Sequence, residues 1–218
     1  PKLGNKLRLG KDQDIWLIVC GAAKVSGTTL AILEQIKDRE VKVMYIVPDS
    51  FFLSATQKKQ HRVVFNVLQE YARSGMIDSL WLFDNKLISN IVGEGALGSY
   101  YDNTNSAIAD FLANYNWFKN VRPIMGNRHE PKEISRIRTV SIGELEENEE
   151  NLYFLLDNIT EMCYYYSISS YKKENDKHLL KNIRTYLETK EKTTFGIWEN
   201  GSDHSFFYSI KFTHYIQE

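Results

Sequence analysis

Two short runs of almost uninterrupted apolar residues flank a segment with helical periodicity near the start of the chain. The runs are IWLIVC at residues 15–20 and VKVMYIV at residues 41–47. Between them, TTLAILEQIKDRE repeats its apolar positions at helical spacing. Strands that are apolar along their whole length are typical of parallel sheets covered by helices on both faces. The pattern therefore predicts a buried strand–helix–strand unit.

The same alternation continues along the first half of the chain. Residues 56–74 are predicted to form a long helix with an apolar stripe, and Gly75 stands where a helix C-cap favours glycine. A third strand is expected at residues 78–83, ending on Asp84-Asn85. Regular alternation of this kind predicts an α/β fold, with a parallel Rossmann-like sheet and helices on both faces.

The middle of the chain is expected to separate two domains. Residues 93–106 are predicted as a loop up to a helix cap near Asp102 or Asn103, and the core helix that follows is expected to end near Phe118. The basic, proline-containing residues 121–138 are predicted to be a linker loop. Residues 1–120, with the core helix, would then form one domain, and residues 139–218 a smaller α+β domain.

The second half has a less regular pattern. Strands are predicted in RIRTVSI and MCYYYSIS, and helices in GELEENEENLYFLLDNI and ENDKHLLKNIRTYLETK. The acidic run EENEEN in the first of these helices suits the positive end of a helix dipole. The last two segments, TTFGIWEN and HSFFYSIKFTHY, are predicted to form a hairpin that turns at Asn200-Gly201, because Asn-Gly accommodates the positive φ angles of a tight turn.

Charge and composition restrict the partners. The net charge of −1 gives no overall basic field, so we expect no direct binding of nucleic acid, and the basic residues 121–138 are interpreted as a solvated linker or a subunit contact. The sequence has no signal peptide and no apolar run of the ~18 residues that span a membrane, and it has only two cysteines. We therefore expect a cytoplasmic protein without a membrane partner. The five histidines lack metal-ligand spacing, so no metal site is indicated, and they are expected at the surface.

The loop CGAAKVSGTT, which follows the first strand, is a candidate phosphate site. Amide groups at a helix N-terminus carry partial positive charge, and small residues let a phosphate approach them closely. The candidate residues are Gly21, Lys24, Ser26, Gly27 and Thr28. The loop is neither a Walker loop nor a dinucleotide fingerprint, because its lysine precedes the glycine and it has only two glycines. The alternative is an ordinary turn in which a hydroxyl caps the helix and the lysine is solvated.

The order of these features resembles the tubulin and FtsZ superfamily. In FtsZ-like proteins the strand after the long helix ends in Asn-Asp-Lys-Leu or a near variant, and here it ends in Asp-Asn-Lys-Leu at residues 84–87. The core helix of that family carries an aromatic residue and an asparagine four residues apart, which here are Tyr101 and Asn105. The resemblance covers residues 14–114 in good register and the remainder more loosely.

The resemblance implies a ligand and its contacts. The ligand would be GTP or GDP, with or without Mg²⁺. Asn85, Tyr101 and Asn105 would contact the nucleoside, and the loop residues Ser26, Gly27 and Thr28 would contact the phosphates. This suits their chemistry, since an asparagine amide both donates and accepts hydrogen bonds and a tyrosine ring can stack on a base. The alternatives are a helix cap for the first asparagine and an amphipathic helix start for the other pair.

Departures from the family limit what the resemblance implies. The family's phosphate loop is richer in glycine, and the family has a further nucleotide-binding portion before it, so the chain is expected to be part of a longer product or a reduced relative. Family members hydrolyse GTP with acidic residues of the loop after the core helix, acting on the neighbouring subunit's nucleotide. Here Glu130 and Glu133 are the candidates, but Arg136 occupies one acidic position and cannot act as a base. GTP hydrolysis is therefore in doubt.

The sequence thus supports two hypotheses. In the first, the chain is a tubulin/FtsZ-like protein that binds a guanine nucleotide and assembles head to tail with copies of itself into filaments, in a phage or plasmid system. In the second, it is a non-catalytic structural or interaction protein that keeps the fold without the nucleotide. GTP binding and sedimentation distinguish the two.

Overall fold

The computed structural model describes residues 14–24, 26–93, 99–146 and 149–218. Its helices are α1 (Ser26–Gln35), α2 (Ala55–Ser74), α3 (Asn85–Val92), α4 (Tyr100–Asn120), α5 (Ser170–Asn175) and α6 (Leu179–Glu188). Its strands are β1 (Ile15–Cys20), β2 (Val41–Val47), β3 (Ser79–Asp84), β4 (Met125–Gly126), β5 (Ile137–Glu144), β6 (Asn151–Leu152), β7 (Glu161–Ser169), β8 (Thr193–Asn200) and β9 (Phe206–Thr213). The strand–helix alternation predicted for the first half is confirmed.

All nine of these strands belong to one mixed sheet. Its order is β1-β2-β3-β5-β9-β7-β8-β4, with β6 paired to β5. The pairs from β1 to β5 along this order are parallel, whereas β9 is antiparallel to both of its neighbours. The two halves of the sheet meet through a short β3–β5 pairing of Leu80 with Ile137 and Trp81 with Arg138. The division into domains at residues 121–138 stays a prediction, because the sheet continues across it.

Helices cover both faces of the sheet, as the apolar strands predict. On one face, α3 and α4 pack Ile88, Phe111 and Phe118 against Trp81 and Trp198. On the other face, α2 contributes the stripe Val64, Phe65, Leu68 and Ala72, and α6 covers Tyr164, Tyr166 and Phe207 further along. The aromatic rings fill the space between helix and sheet, and this rigid core positions the loops at the strand ends.

Helix α2 begins at a reciprocal side-chain cap and ends at the glycine that the sequence predicts. The Ser54 hydroxyl accepts a hydrogen bond from the Gln57 backbone N–H, and the Gln57 side chain accepts one from the Ser54 N–H in return. Gly75 adopts φ 78°, a left-handed conformation that glycine adopts without strain. The predicted C-cap is confirmed, and the reciprocal cap fixes the other helix end beside the first strand's loop.

The helix predicted in residues 143–159 is wrong. The described part of that segment contains the end of β5, a turn and the two-residue strand β6. Tyr153 packs into the core on the α4 side of the sheet, whereas the next residue, Phe154, packs on the α2 side. Consecutive side chains that bury on opposite faces require an extended chain, since its side-chain period is two. Acidic residues that suit a helix start did not provide the apolar stripe a helix needs.

The predicted hairpin at Asn200-Gly201 is also wrong. Strand β8 pairs in parallel with β7, and β9 pairs with β7 on its other edge, so β7 lies between them. Gly201 does not adopt a positive φ, and the Asn200 side chain donates to Ser167 and to the carbonyl of His204. The segment is therefore a crossing over the end of β7, held by the asparagine side chain. Helix α4 also begins earlier than predicted, at Tyr100.

Candidate functional site

A small cavity opens where β1, β2 and β3 end. Because these strands are parallel, their carboxyl ends meet at one edge of the sheet, and the loops that follow lie side by side. The cavity has a volume of about 230 Å³. It is lined by Cys20, Gly21, Ala22, Ala23, Pro48, Asp49, Phe52, Leu53, Gln57, Asn85, Tyr100 and Tyr101. Three of the residues proposed from the sequence, Gly21, Asn85 and Tyr101, therefore meet at one cavity.

Gly21 continues the line of β1 and lies against the second strand. Its N–H donates to the carbonyl of Ile46 over 2.8 Å. A Cβ at this position would lie 2.6 Å from the Tyr45 hydroxyl, 2.8 Å from His61 Nδ1 and 2.8 Å from Pro48 Cδ. All three distances are shorter than carbon contacts permit, so only glycine lets the loop lie this close to the sheet.

Ala22 keeps a backbone conformation that usually belongs to glycine. Its φ is 62°, in the left-handed region that costs roughly 1–2 kcal/mol for a residue with a Cβ. Non-glycine residues in this region are uncommon and occur often at ligand sites. The glycine-poor loop therefore retains a tightly curved backbone although alanine occupies the position.

The remaining candidate loop residues lie outside the cavity lining. The Ser26 hydroxyl is buried, donates to the Ala23 carbonyl over 2.8 Å and accepts from the Gln60 amide over 3.0 Å. It therefore fixes the turn into α1. Lys24, Gly27 and Thr28 are exposed beside it at the start of the helix, where amide groups face outward.

Asn85 is the first residue of α3 and lines the cavity. Asp84 caps the helix, since its carboxylate accepts from the backbone N–H of Lys86 over 2.7 Å. Asn85 is only 9% exposed and lines the cavity, yet its side-chain amide makes no hydrogen bond to any residue that the structure describes. An amide in this setting is suited to a ligand, because neither its donor nor its acceptor bonds to the described part of the chain.

The two candidates on the core helix differ in position. Tyr101 lines the cavity at its mouth, with its side chain 60% exposed, and its ring packs edge-on against that of Tyr100. Asn105, one helical turn further, is exposed and is not among the lining residues. The structure thus brings the aromatic residue to the cavity and leaves the asparagine on the outer surface of the helix.

A tyrosine–histidine pair that sequence reasoning missed supports the loop from behind. The Tyr45 hydroxyl lies 2.8 Å from His61 Nδ1, and the two rings stack. Burial, together with nearby Arg62, lowers the pKa of His61, which favours the neutral imidazole that can take part in this contact. The histidine was expected at the surface. No sequence signal would have placed it here, because the contact joins β2 to α2 through their packing.

The acidic candidates lie at the opposite edge of the sheet from the cavity. Glu130 and Glu133 precede β5, whose first residue pairs with Leu80 near the start of β3. The six residues of β3 separate the two edges by about 20 Å. Both side chains are exposed, and the Glu133 carboxylate lies 3.2 Å from the Arg136 guanidinium. They are therefore too far away to act on a ligand in the same chain's cavity.

Three larger cavities lie elsewhere. Their volumes are about 830 Å³ beside α2, 660 Å³ beneath α6 and 450 Å³ near α5, and none combines the candidate residues. Within residues 14–24, 26–93, 99–146 and 149–218, no three His, Cys, Asp or Glu side chains are grouped closely enough to hold a metal ion. None of the helices described has the length and apolar character required to cross a membrane.

Comparison with known proteins identifies the fold. Neither a protein-family model nor a curated protein matches the sequence. The structure, however, superposes on a GTPγS-form protofilament of Bacillus thuringiensis serovar israelensis TubZ with a TM-score of 0.71 and 13% identity. The match covers 98% of this chain and 65% of the TubZ chain. The chain thus spans about two thirds of that protein.

Two further proteins match in the same way. CetZ from Methanosaeta thermophila strain DSM 6194 gives a TM-score of 0.66 at 13% identity, covering 94% of this chain and 63% of its own. An FtsZ dimer of M. jannaschii gives 0.62 at 11% identity, covering 93% and 64%. Identities this low establish the fold and leave activity open. The resemblance inferred from the sequence is confirmed at that level: the chain has a tubulin/FtsZ-like fold.

Proposed function

We propose that the chain binds a guanine nucleotide in the cavity at the ends of β1, β2 and β3. The observation that carries the proposal is the convergence of Gly21, Asn85 and Tyr101 on that cavity, in the order along the chain that the family uses. The GTPγS-form TubZ protofilament supports the same ligand class, as does a GTPγS-bound protofilament of CetZ2 from Haloferax volcanii, which matches this chain with a TM-score of 0.64 at 13% identity.

The cavity's size and lining suggest how the nucleotide lies. A volume of about 230 Å³ is below the ~300–1,000 Å³ typical of sites that enclose a whole ligand. The nucleoside would occupy the cavity, with its base beside Tyr101 and its polar edge or ribose within reach of Asn85. The phosphates would then extend along the loop toward the first amides of α1, where Gly27 and Thr28 are exposed.

The opposite placement of cavity and acidic residues favours assembly with copies of the same chain. Glu130 and Glu133 lie at the edge of the sheet opposite the cavity. They can therefore reach a nucleotide only if that edge of one copy stacks on the cavity of another. Such a head-to-tail contact does not close on itself and generates a filament. One of the matched structures is a helical model of a two-stranded TubZ filament, which supports assembly into a filament. Hydrolysis of GTP would then require the assembled state. The proposal also places the protein in the cytoplasm, in a phage or plasmid system.

A sedimentation experiment tests the proposed function. The protein is mixed with GTP, GDP, ATP or no nucleotide, and pelleted protein and bound nucleotide are measured across a concentration series. Guanine-selective binding with GTP-dependent pelleting is the expected result. Assembly that is equal with and without nucleotide, in protein that retains none, would support the non-catalytic structural role.

Replacing Asn85 by alanine is expected to weaken GTP binding about tenfold without affecting folding. The amide would make two hydrogen bonds to the nucleoside, each worth roughly 0.5–1.5 kcal/mol, and it makes none to the described protein. Asn105→Ala is the matched control, because Asn105 does not line the cavity. Titration with a fluorescent guanine nucleotide measures both. Equal affinities for the two variants would contradict the placement of the nucleoside beside Asn85.

A further inference from the structure

A buried carboxylate at the start of β7 holds the segment that carries the candidate acids. Glu161 is only 7% exposed. Its Oε1 accepts a hydrogen bond from the Ser135 hydroxyl over 2.6 Å, and both of its oxygens lie within 3.4 Å of the Lys132 backbone N–H. Its Oε2 lies 3.3 Å from His129 Nε2. All three partners come from residues 129–135, which contain no helix or strand in the structure.

The imidazole of His129 extends these contacts to two more strands. Its Nδ1 lies 3.0 Å from the Thr194 hydroxyl at the start of β8, and its ring packs 5.1 Å from that of Phe212 near the end of β9. Burial lowers the pKa of His129, although Glu161 partly opposes the shift. Residues 129–135 are therefore held against β7, β8 and β9, at the edge of the sheet opposite the cavity.

The buried and exposed carboxylates of this region have different surroundings. Glu161 is buried and accepts hydrogen bonds from Ser135 and the Lys132 N–H of its own chain, so it is not exposed to a second copy. Glu130 and Glu133 come from the attached segment and face solvent, the latter with its side chain 91% exposed. An irregular segment has few hydrogen bonds of its own, so its conformation depends on the groups that anchor it. Hydrogen bonds to a charged acceptor are stronger than neutral ones.

We propose that Glu161 is a positioning residue that fixes residues 129–135 and thereby presents Glu130 and Glu133 to the nucleotide cavity of a second copy. The positioning of the segment follows from contacts within one chain. The consequence for GTP hydrolysis rests on the proposed function. Glu161 is not itself a catalytic residue, since it touches only its own chain.

Two measurements test the two parts of this proposal separately. The variants are Glu161→Gln, which keeps one acceptor oxygen, Glu161→Ala, and Ser135→Ala, which removes a single hydrogen bond and leaves the carboxylate in place. Glu149→Gln is the control, because Glu149 is exposed and lies outside the segment. The first measurement is the rate of trypsin cleavage after Arg128 and Lys132, which are exposed at and within the segment. The second is GTP hydrolysis by the assembled full chain, alongside its affinity for GTP.

The expected result is graded. Cleavage should be about tenfold faster in Glu161→Ala, with smaller increases in Glu161→Gln and Ser135→Ala and none in the control. The kcat for GTP hydrolysis should fall about tenfold in Glu161→Ala and by less in Glu161→Gln and Ser135→Ala. The affinity for GTP should be unchanged, because the cavity lies at the other edge of the sheet. Circular dichroism and thermal melting show whether the variants remain folded. If Glu161→Ala does not fold, the cleavage rate and kcat of Ser135→Ala test the proposal instead.

Each contrary result has a distinct meaning. Cleavage rates equal to the wild type in folded Glu161→Gln and Ser135→Ala would overturn the claim that Glu161 fixes the segment. Faster cleavage with unchanged kcat would overturn the claim that the fixed segment positions the acids. If the wild type hydrolyses no GTP, the proposed catalytic role of the second copy fails instead, and the cleavage rates alone then decide whether Glu161 holds the segment.

Discussion

Replacing Glu150 by alanine is expected to lower the free energy of unfolding by roughly 3–5 kcal/mol, the range seen when one partner of a buried ion pair is removed. The Glu150 carboxylate lies 2.7 Å from Lys211 Nζ and 2.9 Å from the Ser209 hydroxyl. It also accepts hydrogen bonds from the hydroxyls of Tyr164 and Tyr186. Its loss would leave the ammonium group of Lys211, a residue only 8% exposed, buried without its counter-charge. Urea denaturation followed by tryptophan fluorescence measures the change.

The neighbouring Glu149→Ala is the matched control, because Glu149 is exposed and its replacement should change stability by less than about 0.5 kcal/mol. Equal stabilities for the two variants would contradict the assigned role of Glu150.

Acid should remove the same stabilisation from the wild type. Burial alone raises the pKa of Glu150, but the hydrogen bonds from Lys211 and Tyr164 outweigh it, and the net effect holds the pKa well below its ordinary 4.5. A carboxyl group with a lowered pKa stabilises the fold above its unfolded pKa and ceases to do so as the pH falls toward the folded pKa. The stability difference between wild type and Glu150→Ala should therefore be constant near pH 7 and shrink below about pH 4.5.

Replacing Gly21 by valine is expected to reduce GTP affinity about 5- to 150-fold. A Cβ there would already lie within 2.8 Å of atoms of Tyr45, His61 and Pro48, so the loop must move away from the sheet and out of the cavity wall. Overpacking of this kind costs roughly 1–3 kcal/mol. If that cost is borne by the loop conformation that binds GTP, the affinity falls about 5- to 150-fold. Nucleotide titration measures the affinity, and thermal melting reports whether the fold persists.

Gly201→Val is the control for that substitution. Gly201 is exposed, a Cβ added there would meet no other atom within 4 Å, and the residue lies outside the cavity. This variant should bind GTP as the wild type does. A folded Gly21→Val protein with unchanged affinity would show that the β1–α1 loop does not form the nucleotide site.

The candidate site could be predicted in part from the sequence. Gly21, Asn85 and Tyr101 were proposed because buried parallel strands bring their following residues to one edge, which is a consequence of strand direction alone. The structure does not group Asn105 with them, since which face of α4 meets the cavity depends on how that helix rotates against the sheet. Tyr45 and His61 were missed for a similar reason: each looks ordinary in its own element, and only packing brings them together.

The prediction for residues 143–159 failed where local pattern and tertiary contact disagree. The run EENEEN suits a helix start when read alone, yet Glu150 within it is the centre of a buried network whose partners come from β5, β7, β9 and α6. A buried carboxylate of this kind cannot be told from a solvated one by sequence spacing, because its partners lie between 9 residues (Ser141) and 61 residues (Lys211) away along the chain.

The sequence by itself determined the elements whose signals are local: the apolar strands of the first half, the capped helix α2, and the edge at which the strand-end residues gather. These follow from side-chain periodicity and backbone preference, which act over a few residues. Only the tertiary structure decided that β7 separates β8 from β9, that Glu150 and Glu161 are buried anchors, and that the acidic candidates face away from the cavity. Those features depend on which distant segments pair and pack, and that choice is made by the burial of the whole sheet.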